Sequence, residues 1–257
     1  MERKLAFVVV VFCCFAISGC NSLRLEQFSV YNPSLKAKTF TFYKLGLQWP
    51  QSFCRSDGVI CDTSPTQSYF TIKSLSPQYN PDEEVPPYAT NQTQTCTDST
   101  PTSPKDITLG LLGQIQPDMA QYWPDLINSP QKNLDLWQDE WAKHGMCSSY
   151  PTDPVKYFKV ALDFIKANDL RDSLSAVAQI IPTNSRTYSR YDFSNAITRA
   201  LQVFPEIYCS TDVRGQVQLE EIRICIGISG TLADLKDCPT RFRGCDSNAQ
   251  LHFPAAP

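Results

Sequence analysis

Histidine is nearly absent from this chain of 257 residues: only His144 and His252 occur. No Cys-x-x-Cys pair occurs either, so a zinc site has neither its thiolate pairs nor its imidazoles. Metal is not expected, and nothing implies a cofactor. Beyond the first twenty residues no run is long and apolar enough to span a bilayer. Excess positive charge is missing as well. The net charge is −3 and the isoelectric point is near 5.4, which excludes a general basic field holding nucleic acid. Any polyanion must be bound by a local site. No internal repeat is visible.

What is present begins with MERKLAFVVVVFCCFAISGC. Arg3 and Lys4 precede an apolar block from Leu5 to Ile17, and small residues follow at Ser18 and Gly19. That is the pattern of a secretory signal peptide, expected over about 1–20, with 21–257 as a single domain. The expected destination is extracellular or vacuolar. At 42% hydrophobic residues the chain can bury a substantial core. Outside the leader eight cysteines remain: Cys54, Cys61, Cys96, Cys147, Cys209, Cys225, Cys238 and Cys245. An even number in an oxidising compartment reads as four disulfides, although spacing leaves the pairing open. Asn91 opens an NQT acceptor for an N-linked glycan on a surface loop.

Strand-like spacing runs from Thr39 through TFTFYKLGLQWP, and SYFTI at 68–72 predicts a second strand. Between Pro77 and Lys105 the composition predicts a long loop tied down at Cys96. Helical signals fill the middle: 106–123, broken or kinked at Pro117, then 133–145, then a helix capped by Asp153 with Pro154 at its first position. Val155, Phe158, Ala161, Leu162 and Ile165 form its apolar face. Another helix is predicted over Phe193 to Val203. EIYCS and VQLEEIRICIGI return the chain to strand. Strands on either side of a helical middle predict an α+β fold around an antiparallel sheet.

The densest chemistry lies in LWQDEWAKHGMC at 136–147. On a helix, Glu140 and His144 are neighbours four residues apart, as are Asp139 and Lys143. A carboxylate beside an imidazole suits proton transfer, and a lysine alongside stabilises developing negative charge. On spacing alone the plainer alternative is a solvated helix face carrying two ion pairs.

A wider match decides between these. DEWAKHGMC resembles the segment HEWxKHGTC of the ribonuclease T2 family, and LGLQWPQSFC at 45–54 resembles its opening strand, LxLQWPxSYC. MAQYWPDL and YFKVALDF are similar to the helices before and after the catalytic one. The resemblance covers about residues 40–253. It implies the family's α+β fold with a central antiparallel sheet and surrounding helices. It also implies the pairs Cys54–Cys61, Cys96–Cys147, Cys209–Cys245 and Cys225–Cys238. The acidic isoelectric point is closer to the S-like plant members than to the basic self-incompatibility ribonucleases.

The same resemblance exposes departures. Active members cleave single-stranded RNA through a 2′,3′-cyclic phosphate, with two histidines as the acid–base pair. Where the family has FTIHGLWPxYN this chain has FTIKSLSPQYN at 70–80, so Lys73 replaces a histidine, Ser74 the glycine and Ser76 the tryptophan. Asp139 replaces a phosphate-binding histidine, while Glu140, Lys143 and His144 keep their family identities. A lysine, with an ordinary pKa of about 10.4 against about 6.5 for histidine, releases a proton reluctantly. Losing one general acid or base costs roughly 10²–10⁴ in rate. Asp139 opposes an incoming phosphate. Only deep burial, driving Lys73 toward neutrality, offers a rescue. The resulting expectation is a fold without RNA cleavage, with plant storage as a role by analogy. The alternatives are an active acid endoribonuclease or a module holding nucleotide or carbohydrate, with Gln48 and Trp137 as candidate base contacts. Single-stranded RNA or nucleotides are the expected weak partners of a monomer. His252 reads as an ordinary surface histidine.

Overall fold

A computed structural model describes residues 37–62, 64–89, 95–128 and 132–257. The expected signal peptide and Asn91 lie outside the described residues.

The sheet is organised around β1 (Phe42–Gln48), whose seven residues are all buried. It pairs antiparallel with β2 (Thr71–Tyr79) on one side and β6 (Val217–Gly227) on the other. Beyond β6 lies β5 (Glu206–Thr211), again antiparallel, and β3 (Glu83–Glu84) closes a short hairpin onto β2. The margins are mixed. β8 (Phe242–Arg243) runs parallel to β5, and β9 (Gln250–Phe253) makes one parallel bridge to β6 while pairing antiparallel with β4 (Thr183–Ser189). β7 (Leu235–Lys236) pairs with β6. The expected antiparallel centre is present, and short parallel ladders complete it.

Alternation along the strands gives the sheet two different faces. Tyr43, Leu45, Leu47, Ile72, Leu75, Ile222 and Ile224 belong to the main hydrophobic core. Helices cover that side: α3 (Gln116–Tyr122), α4 (Asn133–Lys143) and α5 (Pro154–Ala167) bring Met119, Trp137, Trp141, Tyr157 and Phe158 into the same core. The Asp153 side chain caps α5 by accepting from the Lys156 N–H, and Phe158, Ala161, Leu162 and Ile165 are buried along its inner face. The opposite face of β1 carries Lys44 and Gly46, and there a polar cavity opens.

Several expectations shift. The strand predicted at 68–72 starts only at Thr71 and continues to Tyr79. Its polar outward positions disguised it as the start of a loop. The helix predicted at 106–123 is four short pieces: 3-10 turns at Pro104–Asp106 and Gly113–Ile115, α2 (Leu109–Leu112), and α3. Pro117 sits in the first turn of α3, where a missing N–H costs nothing, so it starts a helix rather than kinking one. Sequence reasoning passed over another helix, α6 (Leu170–Ala178), although Leu170, Leu174 and Val177 recur at helical spacing behind the Asp169 cap, and strand β4, which is polar apart from Tyr188. The helix expected from Phe193 begins earlier, as α7 (Arg190–Leu201). Four disulfides join Cys54–Cys61, Cys96–Cys147, Cys209–Cys245 and Cys225–Cys238, with Cα separations of 5.2 to 5.6 Å.

Candidate active site

Two bulges shape the polar face. Along β1–β2, Gly46 opposes Ser74 and Leu47 opposes Ile72, leaving Lys73 as the extra residue. Along β5–β6, Tyr208 opposes Glu221 and Cys209 opposes Leu219, leaving Glu220 extra. A bulge breaks alternation and re-aims a side chain. Here the two extra residues meet: Lys73 Nζ donates to Glu220 Oε1 at 3.0 Å and also to Glu221 Oε1. Lys73 and Ser74, consecutive in sequence, therefore line the same cavity of about 260 Å³. Gly46 leaves room for it, since a Cβ there would stand 3.3 Å from both Glu221 Oε2 and Ser74 Oγ.

The ion pairs continue through the cavity wall. Arg223 binds Glu221 Oε2 at 2.6 Å and Glu206 Oε1 at 2.8 Å. Lys44 reaches Glu206 Oε2 at 2.7 Å and also pairs with Asp82, and Arg243 Nε reaches Glu206 Oε1 at 2.9 Å. Four cations thus face four carboxylates, Asp82, Glu206, Glu220 and Glu221, and the charges cancel. Glu84 lines the same cavity and adds a negative charge.

Burial alone would depress the Lys73 ammonium, but Glu221 and then Glu220 outweigh it and hold the pKa above the ordinary lysine value. Burial likewise pushes Glu220 up, and the Lys73 charge with hydroxyls of Ser210 and Ser56 brings it below normal. The rescue imagined for Lys73 therefore runs in the wrong direction. Its side chain remains 35% exposed and its proton is held more firmly, not less.

On α4 the family-like residues divide by face. Asp139 and Lys143 are exposed, and among the described residues no ion pair joins them. Glu140 is buried, accepts the Leu75 amide at 2.8 Å and lies 2.8 Å from the Tyr157 hydroxyl, tying α4 to β2 and α5. Burial, reinforced by Glu140, keeps the Tyr157 phenol protonated by raising its pKa far above normal. His144 follows the last helical residue and has left helical geometry at φ −129°. Its backbone N–H still bonds Glu140 O, and its ring lies between two carboxylates: Nε2 is 3.9 Å from Glu140 Oε2, Nδ1 is 3.7 Å from Glu84 Oε1. Among the described residues Nδ1 has no hydrogen-bond partner. Gly145 is required next, because a Cβ there would fall 2.1 Å from the Trp141 ring.

The structure joins Glu140 with His144 and Lys73 with Glu220 and Glu221. Among the described residues no hydrogen bond or ion pair links Lys73 to Glu140, Lys143 or His144. Ser76, at the tryptophan position, is buried and bonded to the Gln78 amide at 2.9 Å. Trp137 is unsuited to a base contact. It is 1% exposed and its indole N–H bonds Trp123 O at 2.9 Å, which makes it a core residue. Gln48 is also buried, and its Oε1 has no hydrogen-bond partner among the described residues. Sequence reasoning passed over Glu220, Glu221 and Arg223. Their signal was the EEIR interruption of an otherwise apolar strand, since charge inside a buried strand demands partners.

The Ribonuclease T2 family matches residues 40–238, and the chain belongs to that family. It is 32% identical over 221 residues to extracellular ribonuclease LE of Solanum lycopersicum, covering 85% of this chain and 88% of that one. It is 29% identical over 204 residues to a ribonuclease-like storage protein of Panax ginseng, covering 78% and 76%. Among solved structures, RNase NT in complex with 5′-AMP superposes with a TM-score of 0.68 at 26% identity, over 84% of this chain and 99% of that one.

Proposed function

We propose that this ribonuclease T2 family protein does not cleave RNA. The observation that carries the reading is the pinned Lys73: it stands where the resemblance puts a catalytic histidine, and Glu220 and Glu221 hold its proton. A general acid must release its proton to the departing oxygen and recover it each cycle. This ammonium is held by the protein's own carboxylates, and the balanced charges around it leave no surplus for a phosphate. Storage is the role that fits an inert, disulfide-tied chain, and the likeness to the ginseng storage protein supports it. Passage through the secretory route fits the N-terminal pattern and the extracellular relative. Among the described residues no helix is long and apolar enough to cross a membrane.

The test is cleavage of single-stranded RNA between pH 4 and 8, comparing the natural chain with its His144→Ala variant. Equal, background rates are expected. Robust cleavage that the substitution abolishes would overturn the reading. Storage is checked by following the protein's abundance through sprouting, where it should fall. A second reading, nucleotide binding without turnover, draws on the unpartnered Gln48 amide oxygen and on the relative solved with 5′-AMP. Titration with 5′-AMP tests it, and loss of binding in Gln48→Ala is the expected mark.

A further inference from the structure

We propose that a second cavity, walled by Arg55, Arg214 and His252, binds the phosphate group of a small hydroxylated phosphomonoester such as a sugar phosphate. This cavity, of about 470 Å³, lies at the turn between β5 and β6 and is built from parts of the chain far apart in sequence. Arg55 follows α1 (Pro50–Phe53) inside the loop closed by Cys54–Cys61. That loop is laid against the turn by a Ser56–Asp212 bridge and by the bonds Asp57 N–H to Thr211 O, 3.0 Å, and Val213 N–H to Arg55 O, 3.2 Å. His252 arrives from β9 through its parallel bridge to Gln218.

The charge here is organised unlike that of the active-site cavity. There every cation has a carboxylate. Here neither guanidinium makes a hydrogen bond or ion pair among the described residues. The single acid in the wall, Asp212, accepts the amides of Arg214 at 2.9 Å and Gln216 at 2.8 Å through Oδ1, which holds it in the turn. Two guanidiniums without partners, in a protein of net charge −3, form a local anion site. The remaining wall selects for hydroxyl groups. Gln218 is 1% exposed, and its Nε2 donates to Ser52 O at 2.8 Å and lies 3.2 Å from the Ser56 and Ser210 hydroxyls. That fixes the amide and leaves its oxygen as the group open to a ligand hydroxyl. Thr183 and Asn184 add a hydroxyl and an amide to the lining. The volume exceeds what a phosphate alone fills and falls in the range of small-molecule sites, roughly 300–1,000 Å³. This site is independent of the reading of Lys73.

The experiment uses the full natural chain, titrated with glucose 6-phosphate, glucose and inorganic phosphate by calorimetry and by imidazole proton resonances. With only two histidines, the two ring signals are assigned through a His252→Asn variant. Glucose 6-phosphate should bind, more tightly than inorganic phosphate, while glucose alone should not, and the His252 signal should move while the His144 signal stays. Arg55→Gln with Arg214→Gln, both at exposed positions, should weaken binding by at least about tenfold. Absence of binding, unchanged affinity in the double variant, or movement of His144 in place of His252 would each overturn the site. Equal affinity for inorganic phosphate would overturn the hydroxylated ligand.

Discussion

Glu206 has no exposed side-chain surface and serves three cations at once: Lys44, Arg223 and Arg243. Breaking a buried ion pair from one side leaves the partner charge uncompensated, so Glu206→Gln should cost about 3–5 kcal/mol in chemical denaturation. Tyr157→Phe removes the hydroxyl lying between Leu75 O, at 2.6 Å, and Glu140 Oε1. About 1–3 kcal/mol should be lost there, read as a lower denaturation midpoint with unchanged slope. Gly145→Ala drives a methyl into the Trp141 ring and should cost at least about 1–3 kcal/mol, with a changed tryptophan emission spectrum as the local sign.

At the scale of elements, the amphipathic pieces were legible and the bulges were not. α5 announced itself through Asp153, Pro154 and a clean apolar stripe, because capping and periodicity are local properties. β1 and β6 showed their strand character through alternation. Bulges depend on how two strands register, which a single strand does not encode, so the meeting of Lys73 with Glu220 was out of reach. The motif at 136–147 located α4 and its chemistry. It did not reveal that Asp139 and Lys143 face solvent while Glu140 faces inward. The disulfides act at this scale too. Cys96–Cys147 closes 51 residues against 7 for Cys54–Cys61. On loop-closure entropy, removing the former pair should cost about 4 kcal/mol and the latter about 2.

For the whole molecule, the shifted groups set a pH window. Glu220 and Asp82 sit below their ordinary values of 4.5 and 3.8, so their contribution is complete above those values and is lost as pH falls through the folded-state values. Lys73 sits above its ordinary 10.5, so its contribution persists until the pH rises past that value. Stability from this network should be flat between about pH 5 and 10 and should fall on the acid side. Glu220→Gln should flatten that acid limb, measured as melting temperature between pH 3 and 6. The fold as a whole was readable through family resemblance, which carries long-range pairing that composition and spacing lack.

The bulges that bring Lys73 onto Glu220 tie two distant positions of the chain to each other. A Lys73→His substitution would take from Glu220 the one cation that pairs with it among the described residues and leave the buried carboxylate to the hydroxyls of Ser56 and Ser210. Positions 73 and 220 are therefore coupled: a change of charge at one is penalised unless the other changes with it.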